Sequence, residues 1–173
     1  MSSNVITKDA PQKPAILFVG HGSRDNEAVS EFYQLAEQFS ARFPDRMVET
    51  GFLEFVRPII GDAVQKLVDQ GATHIHAVPG MLMIGAHAKN DIPSELNNQQ
   101  LKHGIKISYG SELGVDAKML QAAQDRIKQA EAQFKDYDPA TDRKDTLLVV
   151  IGRGATDPDA NSNISKITRF LEE

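Results

Sequence analysis

Ile16-Leu17-Phe18-Val19-Gly20-His21-Gly22-Ser23-Arg24 is the stretch that decides the fold. Four apolar residues run unbroken into a glycine-flanked histidine, and a helical pattern begins at Asn26. A strand buried on both faces of a parallel sheet reads this way, because neither of its sides meets water. Open α/β sheets bind ligands beyond the carboxyl ends of such strands, so His21 stands where chemistry is expected. Glycine on both sides lets the backbone turn sharply and lets a ligand come close. An imidazole there binds a metal or moves a proton near neutral pH.

Outward from this strand the alternation continues. The spacing predicts a strand over 15–19 and a helix over 26–43, with Val29, Phe32, Leu35, Ala36 and Phe39 at helical intervals. Pro44-Asp45 breaks it, and 47–55 reads as a second strand. Pro58 suits the first turn of a helix that runs to about 70, where Gly71 stops it. A third strand over 74–78, a helix over 88–102 and a short fourth strand over 105–109 follow. A long helix is expected over 115–135, a polar linker over 136–145, a fifth strand over 146–151 and a closing helix over 164–171. Strands separated by helices imply a parallel sheet with right-handed crossovers, an α/β fold.

Composition removes several classes of function. The chain has 173 residues, 40% of them hydrophobic and 25% charged, the profile of a globular protein. Its formal charge is −5 and it has no basic run, which argues against nucleic acid as partner. It has no cysteine, so any metal must be held by imidazole and carboxylate. No apolar run approaches the ~18 residues of a membrane span. Residues 1–13 are polar and read as a disordered tail, and the cytoplasm is the expected location.

The chain also carries the start of a repeat. At an offset of 132 residues, Val19-Gly20-His21-Gly22-Ser23-Arg24-Asp25 falls on Ile151-Gly152-Arg153-Gly154-Ala155-Thr156-Asp157. Phe32, Leu35 and Phe39 fall on Ile164, Ile167 and Leu171. Two βα units also look alike by chance; the sharper reading is a duplication whose second copy stops after one unit, with Arg153 in place of the imidazole. The expected organisation is a tail at 1–13, an α/β domain at 14–135, a linker at 136–145 and, at 146–173, the first βα unit of an incomplete second repeat. Repeats bury their faces against partners, so the chain reads as a fragment of a longer protein or as a subunit completed by another copy.

His21, Glu54 and His87 lie at or just after the ends of the first three strands. Parallel strands end at one rim, so the three side chains are expected to converge there. Two imidazoles and a carboxylate make a divalent-metal set with positions open to water or substrate. Taken singly, His87 between two alanines also reads as a surface residue, and Glu54 as a solvated acid. His74 and His76 alternate on one strand face; such a pair binds metals, though packed or exposed strand histidines are commoner. His103 precedes Gly104 at a helix end, where a cation is favourable. Gly-His-Gly-Ser lacks the spacing and lysine of a phosphate loop. Asp157, Asp159, Asn161 and Asn163 lack the glycine and glutamate of a calcium loop, and read as a turn and helix cap.

The residues Gly20-His21-Gly22-Ser23-Arg24, Phe52-Leu53-Glu54, and His87 followed by Asp91-Ile92-Pro93 resemble the sirohydrochlorin chelatases of the CbiX/SirB type. The resemblance covers about residues 15–110, and 146–171 is similar to the opening of the second half of two-repeat members. It implies a chelatase-like sheet with strand order 2-1-3-4 and insertion of cobalt, or alternatively iron, into sirohydrochlorin. On it, His21, His87 and Glu54 are both the catalytic and the metal-handling residues, and the divalent metal is a substrate, with no organic cofactor. Sirohydrochlorin is a polyanion, so Arg24, Arg57 and Lys89 are expected to bind it with Ser23. Met81, Leu82 and Met83 would supply flexible apolar surface. A homodimer is expected, without nucleic acid or membrane. Two rival readings stand beside this one. A non-catalytic metal- or tetrapyrrole-binding module is one; a histidine-phosphatase-like enzyme is the other, though Gly20 stands where its arginine would be.

Overall fold

The computed structural model describes residues 13–83, 85 and 88–172. They divide into two compact units: one runs to Met81 and resumes over Ala88–Ser111, and the other is drawn from the segment after Met81 and from Glu112 onward.

The first unit is a parallel sheet of β1 (Pro14–Gly20), β2 (Met47–Phe52), β3 (His74–Pro79) and β4 (Lys106–Tyr109), in the order β2-β1-β3-β4. This is the order the resemblance implied. β1 is central: Leu17 pairs with Glu49 on one side and Ala77 on the other. Central position explains its unbroken apolar run, since Ala15 to Val19 are all buried. Pairing extends one residue before β1, where the Thr73 N–H donates to the Lys13 carbonyl at 3.1 Å. The rest of the expected tail lies outside the described residues.

Helices follow the strands. α1 (Asn26–Ser40) is capped by Asp25, whose side chain accepts from the Glu27 N–H. Its Phe32 and Phe39 stack on Phe18 of β1, at ring-centroid distances of 5.2 and 4.5 Å. α2 (Ile60–Asp69) packs on β2. It comes so close that a Cβ on Gly51 would stand 3.1 Å from the Ala63 Cβ. Gly71 ends that helix region with φ +90, as glycine alone does without strain. α3 (Ala88–His103) buries Ile92 and Leu96 and ends at Gly104.

The second unit contains α4 (Ala117–Glu131), a helical turn α5 (Pro139–Asp142) with a 3-10 turn after it, and α6 (Pro158–Glu172). α4 packs against α6, so residues 112–135 group with the C-terminal segment and not with the sheet. Two expectations change here. The polar linker is partly helical, because Asp138 caps Ala140 and Pro139 fits a first turn. Residues 146–151 form no strand. A strand needs a neighbour for its N–H and C=O groups, and no described residue pairs with this run.

The two stretches aligned at the offset of 132 share local features. α1 and α6 are each 15 residues long and start 132 residues apart. Gly22 and its counterpart Gly154 both have positive φ, +93 and +79. A Cβ on Gly20 would strike Phe32, and one on Gly152 would meet Ile164, the residue aligned with Phe32. Asp25 caps Glu27, and Asp157 accepts from the Asp159 N–H at 2.9 Å.

Candidate active site

The β1–β2 ladder does not stop where the strands stop. The Leu53 N–H donates to the Gly20 carbonyl at 2.9 Å, and the Glu54 N–H to the His21 carbonyl at 3.0 Å. The two strand ends therefore turn together and carry His21 and Glu54 side by side. Gly22 makes this possible: a Cβ there would lie 1.9 Å from the Glu54 carbonyl oxygen. The glycine is required by the protein's own backbone, and not only by a ligand.

His21 Nε2 lies 3.6 Å from Glu54 Oε1, and each side chain is 37% exposed. His21 Nδ1 lies 3.2 Å from the Gly22 carbonyl. A carbonyl only accepts, so this contact assigns the proton of a neutral ring to Nδ1 and the lone pair to Nε2. A lone pair then faces a carboxylate oxygen. The gap between them suits a cation: either a proton carried by the imidazole or a metal at roughly 2.0–2.2 Å from each donor.

Phe55 was not foreseen. Its φ is +64, and the Val56 N–H donates to the Glu54 carbonyl at 2.8 Å. The two facts define a classic-hand γ-turn, a strained geometry that is unusual for a bulky residue. The turn presents the ring outward, 53% exposed. Arg24 places its guanidinium carbon 4.8 Å from the ring centroid, and the His21 ring centroid is 6.5 Å away. No sequence pattern signals this, since an aromatic beside a strand end reads as core.

The other expected residues scatter. Arg57 donates to Asp62, whose carboxylate also accepts from the Ile59 N–H. Its charge is thus committed to the start of α2. Ser23 Oγ accepts from the Asp25 N–H at 3.0 Å and shapes the approach to α1. Lys89 is exposed on the first turn of α3. Met81 belongs to the first unit, Leu82 and Met83 to the second. His87 lies outside the described residues. Among the described residues no cluster of three or more histidine or acidic side chains is assembled.

The CbiX family model matches residues 15–130, which spans both strand ends and the histidine segment. The chain belongs to the CbiX family. A sirohydrochlorin ferrochelatase of Bacillus subtilis is 36% identical over 162 residues, 93% of this chain and 59% of that protein. A sirohydrochlorin cobaltochelatase of Sulfurisphaera tokodaii is 34% identical over 114 residues, covering 66% of this chain and 91% of its own length. The crystal structure of the sirohydrochlorin chelatase SirB from Bacillus subtilis subspecies spizizenii in complex with cobalt superposes with a TM-score of 0.78 at 35% identity. The match covers 94% of this chain and 63% of that one. The chain thus spans about 60% of the longer CbiX relatives.

Elsewhere on the sheet, His74 and His76 of β3 stand with ring centroids 4.2 Å apart. Burial, with His76 and Lys106 beside it, holds the His74 imidazole below its ordinary value. Among the described residues no helix is long and apolar enough to cross a membrane.

Proposed function

We propose that this chain inserts a divalent metal into sirohydrochlorin, with cobalt favoured over iron, in the cytoplasm. The observation that carries the reading is the 3.6 Å gap between His21 Nε2 and Glu54 Oε1 at the carboxyl edge of the sheet, in a chain of the CbiX family. Insertion removes two pyrrole protons and adds one doubly charged ion, so the macrocycle's charge is unchanged while the protein must handle both protons. His21 accepts a proton at Nε2, the atom left with a lone pair by the Nδ1 contact. Glu54 offsets the charge of the incoming ion and takes up the second proton. His87 is the third member of the set. Phe55 offers a flat apolar face to the macrocycle, and Arg24, held over that face, a cation for its carboxylates.

Nitrogen and oxygen donors accept cobalt, iron, nickel and zinc alike, so ligand type does not select the metal. Relatives named for iron and for cobalt both match this chain. The test is the absorbance of sirohydrochlorin with Co²⁺ and with Fe²⁺, separately, in the presence of the protein. Metallation should be fast with wild type and absent with His21→Ala, whose fold persists because the glycines set the turn. Tight binding of sirohydrochlorin without metallation by wild type would identify a binding module instead. We further propose a homodimer, with residues 146–173 at or near its interface.

A further inference from the structure

We propose that His74 and His76 form a second divalent transition-metal site, separate from the pair at His21 and Glu54. The two residues alternate along β3 and so share one sheet face. Across the ladder they face Lys106 and Ser108 of β4. Both rings aim a nitrogen at one atom: His74 Nε2 lies 3.3 Å and His76 Nδ1 2.8 Å from Ser108 Oγ. A hydroxyl has a single proton to give. It can satisfy a lone pair on one ring only, and the other ring must donate to it. The two nitrogens therefore already converge on a common point from two directions.

A metal needs those nitrogens about 3 Å apart, at roughly 2.0–2.1 Å from each. His76 is exposed and can swing to supply this, with its proton moving to the other ring nitrogen. Water would fill the remaining positions. Two imidazoles without a carboxylate favour copper, nickel, zinc and cobalt over magnesium or calcium. Lys106, opposite His74, opposes any cation and keeps the site weaker than a three-ligand one.

The pair is remote from the candidate active site. In the ladder Ile16 is opposite His76, while His21 lies five residues further along the chain from Ile16, about 16 Å at the rise of a strand. One ion cannot serve both. The ions favoured here include those consumed by the proposed reaction, but the site is read from its own geometry and stands if that reading fails.

The experiment is a titration of tag-free protein with Ni²⁺ or Zn²⁺ alone, followed by calorimetry and by histidine ring resonances in NMR. His76→Gln and His74→Gln should each weaken one class of binding at least tenfold, and His21→Ala should leave that class intact. Lys106→Ala should tighten it severalfold. Zn²⁺ should perturb the His74 and His76 resonances together. Equal affinity and stoichiometry in wild type and both glutamine variants would overturn the proposal. So would perturbation confined to His21, His87 or His103. Because His76 is exposed, its substitution leaves the fold intact, and unchanged amide spectra verify this.

Discussion

At the scale of single residues, the site depends most on an atom that is missing. Gly22 has φ +93, and the Glu54 carbonyl occupies the place its Cβ would take. Gly22→Ala therefore meets two separate penalties: backbone strain of about 1–3 kcal/mol and a clash that must push the two strand ends apart. The expected outcome is a loss of about 2 kcal/mol or more in chemical denaturation, with metallation falling further than stability does. Gly154→Ala, where nothing lies within 4 Å of the added Cβ, pays the strain alone and should cost less. Equal losses in the two variants would show that the contact with Glu54 does not matter. His21 and Glu54 were legible in the sequence because strand ends locate chemistry in parallel sheets. The reason for Gly22 was not, since no local pattern tells that a second strand end will press against the first.

At the scale of elements, the turn after β2 is an unusual piece of construction. A γ-turn centred on Phe55 costs strain that a glycine at that position would relieve, yet a large aromatic stands there, exposed and covered on one face by Arg24. Strained residues that the surroundings hold in place cluster at ligand clamps and active sites. Two variants separate strain from ring. Phe55→Gly and Phe55→Ala both remove the ring, but only glycine adopts φ +64 freely, so Phe55→Gly should be the more stable of the two by about 1 kcal/mol. Both should raise KM for sirohydrochlorin severalfold, with little change in metal binding. Unchanged KM in both would make the ring a surface feature. The four strands of the sheet were readable from apolar runs and turn residues, and their order from the family resemblance. This turn was not, because bulky residues are read as excluded from positive φ. The expected helix over 164–171 starts six residues earlier, at Pro158, because the cap foreseen in the stretch 157–163 falls on its first residue, Asp157.

At the scale of the whole molecule, the apolar run at 146–151 sets the strongest constraint. At the offset of 132 residues it aligns with β1, the most deeply buried strand of the first unit. Here Leu147 and Ile151 are 85% and 87% exposed, and Leu148 and Val149 are also open to water. The sequence pattern was right about the residue types and silent about the neighbour. Burial of such side chains is worth roughly 1.5–3 kcal/mol each, and an unpaired apolar strand former invites pairing with another chain. The proposed homodimer would use that run, and light scattering should then give a mass near twice the 19.0 kDa of one chain. Leu148→Lys with Ile151→Lys should return it to a monomer without lowering the stability of the sheet, since both side chains are exposed and belong to the second unit. The dimer would then dissociate while His21 and Glu54 stay as they are. If metallation survives in that monomer, one subunit holds a complete site. If metallation is lost and returns when the two lysines are reverted, the second subunit contributes to it. A wild-type chain that stays monomeric at high concentration would remove the homodimer from the reading.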